Sequence, residues 1–123
     1  MKYTISEIAI DLLRIYSGFN YEVGGFLFAD SDSIIQTISF KKGFTTSISF
    51  KKTDIKLCHG VDNTEVVGTW HLHPGKSSFP SGQDKKQWKS WDRLSAHIIN
   101  NYTGYSFYTK KGELINEDTF QKL

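Results

Sequence analysis

Two histidines, His71 and His73, stand two positions apart; Pro74 follows them directly, and Asp84 comes eleven positions after His73. On a β-strand, residues i and i+2 point to the same face, so both imidazoles are expected to project side by side from the end of one strand. Neutral imidazole is a common nitrogen ligand for zinc, whereas calcium and magnesium take oxygen ligands. Ser81 and Asp84 have the spacing of a helix cap. That places Asp84 in a first helical turn, on the face of Ser81, where the helix dipole favours a carboxylate. If the loop between Pro74 and Pro80 folds back, Asp84 reaches the imidazoles as a third ligand. Two histidines and one carboxylate, with water in the fourth position, form the donor set of a catalytic rather than a structural zinc. Zinc lowers the pKa of bound water from roughly 16 to about 7, and a nearby carboxylate can take that proton and hand it to a leaving amine. Glu22 is the candidate, because it opens an otherwise apolar stretch, Glu22 to Ala29, where a charge is unfavourable without a reason. The Ser81 hydroxyl can also donate a hydrogen bond to a developing oxyanion.

Each motif taken alone has an ordinary reading. His-x-His occurs on structural and surface strands, Ser-x-x-Asp is a common helix cap, and a glutamate at a strand start is commonly an edge charge. It is the joint spacing with Pro74 that favours a metal site, and capping is compatible with ligation because the cap fixes where Asp84 points. Cys58-His59 is not a metal pair, since the chain has one cysteine. Cys58 reads as a small buried residue. Trp70, Trp88 and Trp91 read as packing residues, with Trp70 also steadying the histidines. The chain has no H-E-x-x-H helix and no G-x-S-x-G elbow, so thermolysin-like and serine-hydrolase chemistry fit poorly, and its one cysteine excludes the Pro-Cys-x-x-Cys of a deaminase.

These residues need elements to hold them. Thr4 and Glu7 have capping-box spacing, and Ile5, Ile8, Leu12 and Ile15 or Tyr16 recur at helical spacing, which predicts a helix over about 5–17 with those residues buried. Strands are expected at Glu22 to Ala29, Ile34 to Phe40, Phe44 to Phe50, Glu65 to His73 and Tyr105 to Thr109. Turns are expected at 30–33, 41–43 and 110–113, and a short final element begins at Leu114-Ile115. Residues 51–64 fit no single element. After the Ser81 cap, Trp88, Trp91, Leu94 or Ser95 and Ile98 predict an amphipathic helix to about Asn101, with His97 on its surface or partly in the core.

The bulk properties set the frame. The 123 residues match one domain, 1–123, and 38% hydrophobic with 23% charged residues matches a soluble, globular chain. Fifteen basic against thirteen acidic residues is too even for a nucleic-acid surface, and the lysine pairs 41–42, 51–52, 85–86 and 110–111 read as solvated turns and helix faces. No apolar run approaches the ~20 residues of a membrane span. The single cysteine and the lack of an apolar leader fit a reducing, cytoplasmic setting.

The pattern resembles the JAMM signature of the MPN/JAB metalloprotease family: a glutamate at a strand start, then His-x-His-Pro, then Ser-x-x-Asp. This chain shows Glu22 in YEVGGFLF, His71-Leu72-His73-Pro74, and Ser81-Gly82-Gln83-Asp84. Each anchor stands at the family spacing, and the element order is similar over nearly the whole chain. The Gly-Thr-Trp-His run and Trp88 resemble the small bacterial deubiquitinase-like branch, whose members are often encoded beside ubiquitin-activating-like and conjugating-like enzymes. The resemblance implies an α/β fold, a JAB/MPN-like domain with a mixed central β-sheet flanked by helices. It implies one Zn2+ ion on His71, His73 and Asp84, acid–base work by Glu22, and Ser81 near the oxyanion. The implied reaction is hydrolysis of the amide after the C-terminal glycine of a ubiquitin-like protein, which with its conjugate is the implied partner. A sulfur-carrier precursor or a cell-wall peptide as substrate, and a non-catalytic MPN scaffold, are the alternatives. Leu72 departs from the Ser or Thr usual between the histidines, which bears on subfamily and substrate contacts rather than on the ligands.

Overall fold

The apolar stretches of the chain pair into a single sheet whose two faces are each covered by a helix. The structure, a computed structural model, describes residues 3–43, 62–75, 79–91 and 93–120. In chain order the elements are β1 (Thr4–Ile5), α1 (Glu7–Tyr16), β2 (Val23–Ala29), β3 (Ile34–Ile38), β4 (Lys41–Lys42), β5 (Glu65–Leu72), α2 (Gly82–Ser90), β6 (Ala96–Asn101), β7 (Gly104–Thr109) and β8 (Leu114–Thr119). The sheet runs β1-β3-β2-β5-β6-β7-β8, with β4 pairing the N-terminal end of β2. The β5–β6 pair is parallel and β2–β5 is antiparallel, which makes the sheet mixed, as the α/β expectation requires.

Alternation along the strands divides the core. Val23, Leu27, Trp70, Leu72, Ile98 and Phe107 pack with Ala9 and Leu13 of α1. The intervening positions face the other way: Phe26 and Phe28 meet Trp91 and Leu94, and Ile99 and Tyr108 meet Trp88 of α2. Successive strand residues point to opposite faces, so α1 and α2 lie on opposite sides of the sheet.

Several expectations are corrected. The cap of α1 is Ser6, not Thr4: the Ser6 side chain accepts from the Ala9 N–H, while Thr4-Ile5 pairs in parallel with β3. Ile5, Leu12 and Tyr16 pack against the core as expected, but the fully buried residues of α1 are Ala9 and Leu13, and Ile8 and Ile15 are each 66% exposed. Both sets fit a 3.6-residue period, and the one containing small Ala9 lets the helix approach the sheet closely. Lys41-Lys42 is a short strand rather than a turn, because β3 ends at Ile38 and the chain re-pairs with β2 at Val23 and Gly24. The helix after Ser81 stops at Ser90, and Trp91 is already extended. Residues 96–101 form a fully buried strand, so His97 sits in the sheet and not on a helix. A strand buried on both faces shows no alternation, and the spacing of Trp88, Trp91 and Ile98 mimics a helical stripe. The strand expected at Phe44 to Phe50, nearly all of 51–64, and Cys58 and His59 lie outside the described residues. Among the described residues no helix is long and apolar enough to cross a membrane.

Candidate metal centre

The C-terminal end of β5 presents the two histidines. Thr69, His71 and His73 alternate with Trp70 and Leu72, so the first three share one face and the latter two enter the α1 core. Trp70 is fully buried, stacks on Tyr16 with ring centroids 5.3 Å apart, and donates from Nε1 to the Ser39 carbonyl. Leu72 is also fully buried, so this position between the histidines contributes packing to the α1 core. The ladder continues one residue past the strand: His73 N–H donates to the Asn100 carbonyl, and Asn100 Nδ2 donates to the Leu13 carbonyl. Both imidazoles are thereby carried on backbone held from two sides.

Glu22 arrives from β2. Gly24 pairs with His71 in antiparallel register. Two residues back along β2 and two residues on along β5, that register sets Glu22 opposite His73 on the same face. The Glu22 carbonyl accepts from Gly43 N–H, which holds it at the end of the β4 pairing. Ligand atoms of Glu22, His71 and His73 lie within 4.8 Å of one another.

Asp84 arrives from α2. The Ser81 Oγ accepts from the Asp84 N–H at 3.1 Å and the Asp84 carboxylate accepts from the Ser81 N–H at 2.9 Å, a reciprocal capping box. Its Oδ1 is 3.3 Å from His71 Nε2 and its Oδ2 is 3.2 Å from His73 Nε2, and the two Nε2 atoms are 2.9 Å apart. Ligands about 2.0–2.1 Å from a tetrahedral ion lie roughly 3.3–3.4 Å apart, so this donor set has the chemistry and nearly the spacing of a zinc site.

Two carboxylates here sit in opposed environments. Burial pushes Asp84 up, but hydrogen bonds to both imidazoles outweigh it and hold the carboxyl well below the usual range. Burial pushes Glu22 up, with the histidines opposing and Asp84 assisting. The same cluster thus lowers one carboxyl and raises the other.

The five residues singled out by spacing, Glu22, His71, His73, Ser81 and Asp84, thus come together. Thr69 and His97, paired behind the histidines, were not found from the sequence. Their Oγ1 and Nδ1 atoms are 2.7 Å apart, and burial pushes His97 down to about 3 against a smaller opposing effect of the Leu94 backbone. A histidine inside an apolar run was the available signal, obscured by the helical reading of that run.

Comparison with known proteins extends the picture. A protein named desampylase from Pyrococcus furiosus is 26% identical over 85 residues, a match that takes in 65% of this chain and 61% of that protein's length. Among solved structures, a JAB1/MPN domain protein from Archaeoglobus fulgidus superimposes with a TM-score of 0.67 at 23% identity, covering 92% of this chain and 94% of the other. A structure described as a JAMM metalloprotease-like zinc site in the proteasome and signalosome gives a TM-score of 0.63 at 20% identity, covering 94% and 95%. The family described as prokaryotic homologs of the JAB domain matches residues 16–111. With most of its length matched, and with the fold of its JAB1/MPN neighbours, this chain belongs to the prokaryotic branch of the JAB family.

Proposed function

We propose that this protein is a zinc-dependent isopeptidase that hydrolyses the amide bond after the C-terminal glycine of a ubiquitin-like protein. The observation that carries the proposal is the convergence of two imidazole Nε2 atoms and one carboxylate within 2.9–3.3 Å of each other, with a second carboxylate alongside. Either carboxylate could complete a three-residue donor set. Asp84 is favoured as the ligand because it already contacts both Nε2 atoms and is held by its capping box. Glu22 is then left as the acid–base group.

Bound zinc supplies positive charge that polarises the amide carbonyl and acidifies water. Glu22 takes the proton from the attacking water and delivers it to the leaving amine, so one carboxylate serves both steps. His71 and His73 would supply the imidazole nitrogens, from backbone that pairs with β2 and β6 at His71 and bonds the Asn100 carbonyl at His73. Ser81 Oγ accepts from Asp84 N–H, and its own hydroxyl hydrogen is directed to the carbonyl oxygen of the substrate as negative charge develops there. The substrate class is supported by the JAB-family membership and by the likeness to a protein named desampylase. An extended C-terminal tail suits a sheet edge, where it can add as a strand.

The test is incubation of zinc-loaded protein with ubiquitin-like fusions carrying a peptide or lysine after the C-terminal glycine, with and without chelator. Cleavage after the glycine that chelator abolishes supports the proposal. Cleavage of cell-wall fragments but of no fusion redirects the substrate, and binding without cleavage of anything supports a scaffold.

A further inference from the structure

His97 is fully buried on β6, behind the candidate metal centre, and the mechanism above gives it no part. Its ring lies flat on the indole of Trp88, with centroids 4.8 Å apart and planes 9° from parallel. Its Nδ1 is 2.7 Å from Thr69 Oγ1. Each contact leads to one half of the donor set. Thr69 pairs in register with His97 and precedes His71 by two residues on the same face of β5. Trp88 follows Asp84 by four residues on α2, one turn along the same helix face.

The helix is seated on the sheet through Trp88, and Trp91 at its C-terminal cap packs on Phe26. Of its nine residues, Trp88 is the buried one, seated among His97, Ile99 and Tyr108. Within the helix, the turn that carries the Asp84 carboxylate therefore rests on the seat of the Trp88 indole. A flat ring at position 97 sets the height of that indole above the sheet.

We infer that His97 is a positioning residue that sets the distance between Asp84 on α2 and the His71–His73 pair on β5, by stacking its ring on Trp88. The inference rests on the reading that His71, His73 and Asp84 hold a metal.

Metal binding tests it directly, without turnover. His97→Leu and Trp88→Leu remove the stacked pair, whereas His97→Phe and Trp88→Phe keep a ring on a ring. Zinc affinity is measured by chelator competition, the visible spectrum of the cobalt-loaded protein reports the ligand geometry, and circular dichroism checks the fold. The leucine variants are expected to lose tenfold or more in affinity, with an altered cobalt spectrum, while the phenylalanine variants stay within about threefold of wild type. Folded leucine variants with unchanged affinity and spectrum overturn the inference. So do phenylalanine variants that lose as much as the leucine ones. If neither leucine variant folds, the stack is a core contact and the inference is likewise overturned. Wild-type protein that takes up no zinc brings down the function proposed above and this inference with it, whereas wild-type uptake with indifferent variants brings down the inference alone.

Discussion

Gly24 of β2 lies opposite His71 of β5, and this pairing brings Glu22 to the side of His73. A slip of one residue would turn Glu22 to the opposite face of the sheet, into the α1 core. The proton-carrying role proposed for Glu22 predicts a specific split. Glu22→Gln keeps the side-chain volume and removes the base, so hydrolysis is expected to fall by about 10²- to 10⁴-fold while one metal ion per chain is retained. Single-turnover cleavage and metal analysis on the same sample check both halves. Loss of the metal along with activity would instead make Glu22 a ligand.

Asp84→Asn tests the opposite assignment. The asparagine oxygen can still accept from the Ser81 N–H, so α2 should persist by circular dichroism. The anionic donor is gone, and zinc affinity should drop by tenfold or more in a chelator competition. Unchanged affinity would remove Asp84 from the ligand set.

Metal binding should also stabilise the fold, because the donor set assembles only in the native state. At free zinc about 100-fold above Kd the gain is about 2.7 kcal/mol, a rise in Tm on the order of 10 °C. His73→Ala should erase that rise in thermal scans with and without chelator.

Burial of His97 predicts an acid-sensitive fold. In the unfolded chain its imidazole takes a proton below about pH 6.5, whereas in the native state burial lowers the pKa to about 3. The unfolded state therefore binds more protons between these values. The contribution is fully present above about pH 6.5 and is lost as the pH falls towards 3, at no more than about 1.4 kcal/mol per pH unit. Urea titrations across this range should show a shallower slope for His97→Phe than for wild type, and parallel slopes would show that His97 titrates normally.

Gly68 allows β5 and β6 to approach beside the Thr69–His97 pair, since a Cβ there would run into the Ala96 carbonyl. Gly68→Ala is expected to cost about 2 kcal/mol or more and to weaken metal binding, as measured by denaturant unfolding and chelator competition. A wild-type midpoint for this variant would contradict the close approach.

The grouping of His71, His73, Ser81 and Asp84 was legible because all four lie within fourteen positions, where strand alternation and a helix cap largely determine geometry. Glu22 was marked by its charge at the head of an apolar strand, and the spacing of all five matched a known signature. The strands of 23–29, 34–38, 65–72 and 104–109 were legible for the same local reasons. The misreadings share a cause. Residues 96–101 read as helix because a strand covered on both faces carries no period-2 signal, and Ile8 and Ile15 read as buried because more than one apolar stripe fits the period of α1.

Residue type and short spacing alone thus determined which side chains could do chemistry and on what kind of element each stands. Register, helix orientation and burial belong to contacts between residues far apart in the chain: Gly24 with His71, Asn100 with Leu13, Trp88 with His97. Those contacts put Glu22 beside the histidines and made His97 an internal strut, because only packing decides which of several locally acceptable faces turns inward.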